Sequence, residues 1–268
     1  MAPKLIVPNT HIIIPDTQVA PGVDTTHLEW VGQYIHDKYA GRDGIKVIHL
    51  GDHYDLPSLS WYDRGKRSME GRRLEADIEA GNDGMDKLTF PFYEDHFEQY
   101  LLRGNHEDRL TRAMDDHPQL EGVLDFAQFN DTLWGWDVQD FKEVLNLDGV
   151  AYSHFFYQPM SGRPYGGNNV ETLLGKIGQS FTQGHRQGLW YGLRNVLGGI
   201  HQGLVAGSCY THHEEYKGPQ ANSHWRGIIV KYNVVGGQYD PKFVSLDSLC
   251  QRYEGMTLAA WKKRKRLA

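Results

Sequence analysis

Five short stretches of this chain carry side chains that could do metal chemistry, and each follows an apolar run. In LLRGNHED, two leucines give way to Asn105, His106, Glu107 and Asp108. IIIPDTQ delivers Asp16 and Gln18, and VIHLGDHYD delivers Asp52, His53 and Asp55. AYSHFF ends a β-prone stretch on His154, and FTQGHRQG places His185 and Gln187 two residues apart, a spacing that puts both on one side of an extended chain. Carboxylates brought close together repel one another and shift their titration unless a cation sits between them. Mixed Asp, Asn, Gln and His donors suit Mn²⁺, Mg²⁺ or Fe, with Zn²⁺ also accommodated. Taken one at a time these residues have plainer readings: Asn105 and His106 as a polar turn, Asp52 and Asp55 as a helix cap and a surface charge, His154 as a packed core histidine. Their joint occurrence at strand ends is what favours a metal site.

The elements needed to position them are legible as an alternation. THIIIPD predicts a buried strand, and Leu28, Val31, Ile35 and Tyr39 recur at helical spacing, with Asp24 or Thr25 as cap and Gly41 as stop. KVIHLGD predicts a second strand over 46–50, a polar helix follows over 68–88, and QYLLRGN is a third strand. This β-α-β-α-β order is that of a parallel sheet flanked by helices, and ligands in such sheets bind outside the carboxyl ends of the strands. Further on, Asp148-Gly149 marks a hairpin within VLNLDGVAYSH, and residues 170–177 form a short helix. SFTQGH, GLVAGSCY, GIIVKYNVV and KFVSLDSL then predict mostly strands. The expectation is one α/β domain with two sheets over 1–255 and a basic tail over 256–268.

The 268 residues are 40% hydrophobic and 23% charged, enough for one sizeable core. A net charge of −6 gives no bulk basicity that would point to nucleic acid, although carboxylates gathered at a metal site would depress that balance locally. Two cysteines without a CxxC spacing exclude a disulfide framework and a zinc-ribbon site. No apolar run reaches membrane-spanning length, and Pro8, Asn9 and His11 interrupt any signal-like segment at the start. The expected setting is soluble and cytoplasmic, with no membrane partner.

In order, Asp-x-Gln, Gly-Asp-x-x-Asp, Gly-Asn-His-Glu, a lone His and Gly-His-x-Gln resemble the calcineurin-like metallophosphoesterase superfamily over roughly residues 10–210. The resemblance implies a four-layer αββα sandwich of two mixed β-sheets flanked by helices. It also implies two divalent metal ions, Mn²⁺ foremost, with Asp52 bridging them. Asn105, His154 and His185 would complete one metal's site, and Asp16, Gln18 and Gln187 would serve the other. His106 would assist the leaving group, Asp55 and Glu107 would orient ligands by hydrogen bonding, and a metal-bridging hydroxide would attack the phosphorus. Two positions depart from the common pattern: Gln18 and Gln187 stand where the family usually has histidines, which should weaken one metal's hold and favour Mn²⁺ or Mg²⁺ over Zn²⁺ there.

The substrate is less closely specified. Trp61, Arg64 and Arg67, in an insert that mixes aromatics with cations, together with His53 and with Tyr157 in the loop HFFYQPMSGRPYGG, are candidate contacts to a nucleic acid or nucleotide. The insert can equally be a helix with a charged outer face. The tail's five cations, Lys262 to Arg266, suit either steering toward nucleic acid or a solubilising end. Phosphodiester hydrolysis is the expected activity. A small-molecule phosphomonoesterase and a non-catalytic metal-binding scaffold are the alternatives; the absence of a Val-Asp-Arg-Gly run after Gly51-Asp52 argues against a protein phosphatase.

Overall fold

Isoleucines in direct succession set the layering. In β1 (Asn9–Ile14), successive side chains point to opposite faces, so Ile12 and Ile14 join one apolar cluster while Ile13 joins another. The same division runs through Val47 and Ile48 of β2 (Ile45–His49) and Leu101 and Leu102 of β3 (Glu98–Leu102). A strand apolar on both faces needs cover on both. In the computed structural model, which describes residues 8–167, 169–213 and 223–267, that cover is a layer of helices on one side and a second sheet on the other.

The first sheet adds the short β4 (Asp137–Gln139), β10 (Gly227–Val235) and β11 (Gln238–Ser245), in the order β11-β10-β1-β2-β3-β4. β1 to β4 run parallel, and β10 is antiparallel to both β1 and β11. The second sheet consists of β5 (Leu145–Leu147), β6 (Val150–Ser153), β7 (Ser180–Gln183), β8 (Leu189–Val196) and β9 (Gly199–Ala206), ordered β5-β6-β7-β9-β8, with β6, β7 and β9 parallel. α1 (Thr26–Tyr39), α2 (Leu74–Thr89), α5 (Leu246–Glu254) and α6 (Leu258–Lys265) pack on the outer face of the first sheet through Leu28, Met85, Leu249 and Trp261. α4 (Val170–Ile177) covers the second sheet through Leu173 and Leu174, against Phe181 and Val205. Between the sheets, Ile13, Ile48 and Leu102 meet Val150, Tyr152 and Leu204. Among the described residues the chain is therefore an α/β sandwich of two mixed sheets and six helices, α3 (Asp108–Asp116) being the sixth. No helix among them is long and apolar enough to cross a membrane.

Several expectations are corrected. The helix expected over 68–88 begins at Leu74, because Gly71 adopts a left-handed φ of 79° and residues 57–69 turn in three short 3₁₀ segments. KFVSLDSL is strand only to Ser245, whose hydroxyl accepts from the Ser248 N–H and starts α5. β8, whose side chains show no apolar alternation, was not apparent and forms a hairpin with β9. The basic tail is no loose end: Thr257 caps α6, Trp261 is fully buried with its ring 4.9 Å from that of Trp30, and Arg264 pairs with Glu254 at 2.6 Å.

Candidate metal centre

Parallel pairing is what gathers the donors. β1, β2 and β3 lie side by side, so Asp16, Asp52 and Asn105, each just beyond a carboxyl end, emerge as neighbours. β6 and β7 do the same for His154 and His185 across the sandwich. The connecting loops are knit to one another: the main-chain N–H groups of Gln18 and Val19 donate to the carbonyls of Asp52 and His53 at 2.8 and 2.7 Å.

Close backbone approach requires glycine here. A Cβ on Gly104 would lie 2.1 Å from an Asp52 carboxylate oxygen, and one on Gly184 would lie 2.5 Å from Asp16. Gln18, Asp52, His185 and Gln187 all hold positive φ, at 43°, 50°, 65° and 58°, a region that side-chain-bearing residues rarely enter. His185 and Gln187 each centre a three-residue turn, closed by Arg186 N–H to the Gly184 carbonyl and Gly188 N–H to the Arg186 carbonyl, both 2.7 Å. Strain concentrated in this way marks ligand-holding loops more often than connecting ones.

Glu107 locks the second and third loops together. Its fully buried carboxylate accepts four main-chain N–H bonds, from Asp52 (3.0 Å), His53 (2.6 Å), Tyr54 (2.9 Å) and Gly104 (2.8 Å). Glu107→Gln turns an NH₂ toward two of these donors. We expect it to cost about 2–4 kcal/mol, because buried main-chain donors are left unmet. Urea unfolding measures this; an unchanged midpoint would contradict it.

The donors converge. Asp52, His154 and His185 each offer one ligand atom, and these lie within 4.8 Å of one another. His154 Nδ1 donates to the Leu50 carbonyl at 2.7 Å, which fixes the tautomer and aims Nε2 at the Asn105 amide oxygen (3.1 Å) and Asp52 Oδ2 (3.3 Å). Burial alone would lower the His154 pKa, but the carboxylates of Asp52 and Asp16 outweigh it and push it up to about 10. A proton thus stands where the charge balance calls for a cation, and metal binding would displace it. His185 is driven the other way, down to about 4, by burial and by His154, and so keeps a neutral, metal-ready imidazole.

Asp16 donates nothing and receives one bond to Oδ1, from the His185 N–H at 3.0 Å. Its Oδ2 and both polar atoms of Gln18 are buried with no hydrogen-bond partner among the described residues. Orphaned groups of this kind cost roughly 1–3 kcal/mol each, so the donor set fits a bound cation. Burial raises the Asp16 pKa to about 7, with Asp52 adding to the rise and His154 opposing it. A carboxyl whose folded pKa lies above its unfolded value of 3.8 destabilises the fold progressively as pH rises between the two. In chelator, Asp16→Asn is therefore expected to be more stable than wild type at pH 8, by on the order of 2–4 kcal/mol. The gap should close toward pH 4, and Mn²⁺ should reverse the ordering; thermal melts across pH check both.

Beside the donors, His106 Nδ1 pairs with Asp55 Oδ1 at 2.5 Å, and its Nε2 lies 3.8 Å from Asp52 Oδ2. Burial would lower the His106 pKa; Asp52 and Asp55 overcome it, so the net shift is upward and favours the protonated ring. Arg109, one helical turn on in α3 and not singled out by the sequence, reaches His106 Nε2 (3.3 Å) and the Asp55 carbonyl (2.5 Å). The i, i+3 spacing from His106 was the signal available for it.

Other expected residues fall elsewhere. Gln187 accepts a hydrogen bond at its amide oxygen from the Tyr210 hydroxyl at 2.8 Å, which uses one of that oxygen's two lone pairs and orients the side chain. His53 is no substrate contact: it is fully buried, held by the Thr17 hydroxyl (2.8 Å) and the Gly81 carbonyl (2.9 Å). Trp61 is 62% exposed with Arg64 stacked 5.1 Å away, and among the described residues no hydrogen bond or ring contact ties Trp61, Arg64 or Arg67 to the donors. Tyr157 is the one expected contact that reaches them, through a series of aromatic rings taken up below.

No protein-family model matches the chain, and no curated protein matches it. Among solved structures, one crystal structure aligns over 89% of this chain and 100% of its own at 10% identity, with a TM-score of 0.40. That likeness is too slight to carry any argument.

Proposed function

We propose that the chain is a metal-dependent phosphoesterase of the calcineurin-like type, cutting phosphodiester bonds in nucleic acid or nucleotides. The observation that carries this reading is the convergence of Asp52, His154, His185 and Asn105 on one point, with Asp16 beside them and a carboxylate-supported His106 facing the same Asp52 oxygen. The order of the five motifs and the two-sheet sandwich support it as well. Bound divalent cations, Mn²⁺ first among them, would acidify a water and neutralise phosphoryl oxygens at this point.

The chain's own residues divide the remaining work. Asp52 faces both histidine-bearing sides of the site and would bridge. Asn105, His154 and His185 form the tighter set, with the His154 tautomer fixed from behind by Leu50. Asp16 and Gln18, with Gln187 oriented by Tyr210, offer a weaker, oxygen-only set. His106, whose pKa Asp52 and Asp55 raise while Arg109 opposes them, is placed to give a proton to a departing oxygen. A scaffold without catalysis has no use for such an acid.

Substrate class is tested by Mn²⁺-dependent turnover of bis(p-nitrophenyl) phosphate beside p-nitrophenyl phosphate. Faster diester turnover is expected; turnover of the monoester alone would replace this reading with a phosphomonoesterase.

A further inference from the structure

Five rings close a circle of contacts at the candidate centre. Centroids lie 5.3 Å apart for His154 and His185, 4.6 Å for His185 and Phe155, and 5.7 Å for Phe155 and Tyr157. Tyr157 and Phe141 are 6.2 Å apart, and Phe141 and His154, which complete the circle, 6.3 Å. Two members are candidate ligands. The other three come from two loops, Phe141 after β4 and both Phe155 and Tyr157 after β6.

Ordinary packing does not account for their exposure. Phe129, Tyr152 and Phe181 are at most 1% exposed, whereas Phe141, Phe155 and Tyr157 are only partly buried. Their interplanar angles of 85° and 89° set the rings edge to face. Part of each of these residues therefore stays accessible beside a strongly polar centre. Cations border it. Lys142 Nζ lies 5.4 Å from the Phe141 ring and 5.6 Å from that of Tyr157, and the lysine holds a left-handed φ of 77°. The Arg186 guanidinium lies 5.5 Å from Phe155 and is fixed by donation to the Tyr165 and Gly167 carbonyls. Partly exposed aromatic rings with cations lying over them combine the two kinds of group that stack a base and hold the phosphates beside it, the long lysine side chain being free to swing from ring to phosphate.

Resting on the phosphodiesterase reading, we propose that Phe141, Phe155 and Tyr157 form an aromatic ledge next to the scissile phosphate, on which the nucleobase stacks against one ring while the rings perpendicular to it brace its edge, with Lys142 on a flanking phosphate. The substrate class is then a base-bearing strand rather than a bare phosphodiester. A loop that merely packs would bind a base-bearing and a base-free strand alike.

The test compares a fluorescein-labelled oligothymidylate with an abasic strand of equal length and charge. Dissociation constants come from anisotropy in chelator, and KM and kcat are measured separately with Mn²⁺. Wild type should prefer the base-bearing strand about ten- to a hundred-fold in Kd. In Phe141→Leu and Tyr157→Leu the preference should collapse toward unity, while Tyr157→Trp, which keeps a stacking face, should retain it. Equal binding of the two strands by wild type overturns the ledge, as does an undiminished preference in both leucine variants. Base preference in binding with no Mn²⁺-dependent turnover of any diester would leave the ledge and remove the phosphodiesterase; turnover without base preference would do the reverse.

Discussion

Asp52→Asn is expected to lower Mn²⁺-dependent phosphodiester turnover by roughly 10³-fold or more, with the protein still folded. The loss follows from charge rather than shape. Asparagine keeps an oxygen to accept the His106 main-chain N–H, which sits 3.0 Å from Asp52 Oδ1, and Glu107 still binds the main chain at this position. What disappears is the one carboxylate within 4 Å of both His154 Nε2 and His106 Nε2. Cations held by this group are worth several kcal/mol of transition-state charge stabilisation, and each 1.36 kcal/mol is about tenfold in rate. The same change removes the main influence that raises His154, so the variant should also show weaker Mn²⁺ affinity by calorimetry. Wild-type turnover in a folded Asp52→Asn protein would mean that the chemistry lies elsewhere.

The second large effect separates His106 from the donors. His106→Ala should reduce hydrolysis of a dinucleotide by ~10²–10⁴-fold, the range for loss of a positioned general acid. A p-nitrophenolate leaving group needs little protonation, so with that ester the deficit should shrink to within about tenfold. Loss of a structural residue would lower both rates equally, which makes the ratio the deciding quantity. pH adds an independent check. An acid must carry its proton, so activity falls as pH rises through the His106 pKa, which Asp52 and Asp55 hold above 6.5. Asp55→Asn removes one of these supports, and the alkaline limb should move toward lower pH relative to wild type. A limb that stays in place would assign that titration to another group.

How far the sequence foretold the site depended on how local each signal was. Asp16, Asp52, Asn105, His154 and His185 were legible because each lies just past the end of a predicted strand, and strand polarity alone decides which end they leave. Glu107 was legible as a supporting group, but not the main-chain donors it satisfies, since three of the four, at Asp52, His53 and Tyr54, come from a loop some fifty residues earlier in the chain. Gln187 has a partner the sequence did not reveal. Its position in Gly-His-x-Gln suggested a ligand, and Tyr210, 23 residues away, donates to its oxygen, a pairing no local pattern contains. His53 looked available because it follows Asp52 in the polar stretch after β2, and the packing of the loops after β1 and β2 buries it instead behind Thr17. The aromatic circle was legible only in the loop that carries Tyr157, because Phe141 reaches Tyr157 and His154 from the loop after β4, on the other sheet. The tail was misjudged on charge: one tryptophan, Trp261, ties a basic segment into the core.

The most direct test of the account is the initial rate of bis(p-nitrophenyl) phosphate hydrolysis by chelator-treated protein as Mn²⁺ is added back, for wild type and Asp52→Asn in parallel. The account predicts negligible rate without cation. Wild type should recover in a tight and then a looser phase, as the histidine-rich and the glutamine-bearing sets fill, and Asp52→Asn should stay flat throughout. A rate indifferent to Mn²⁺, or an equal recovery in Asp52→Asn, would contradict it.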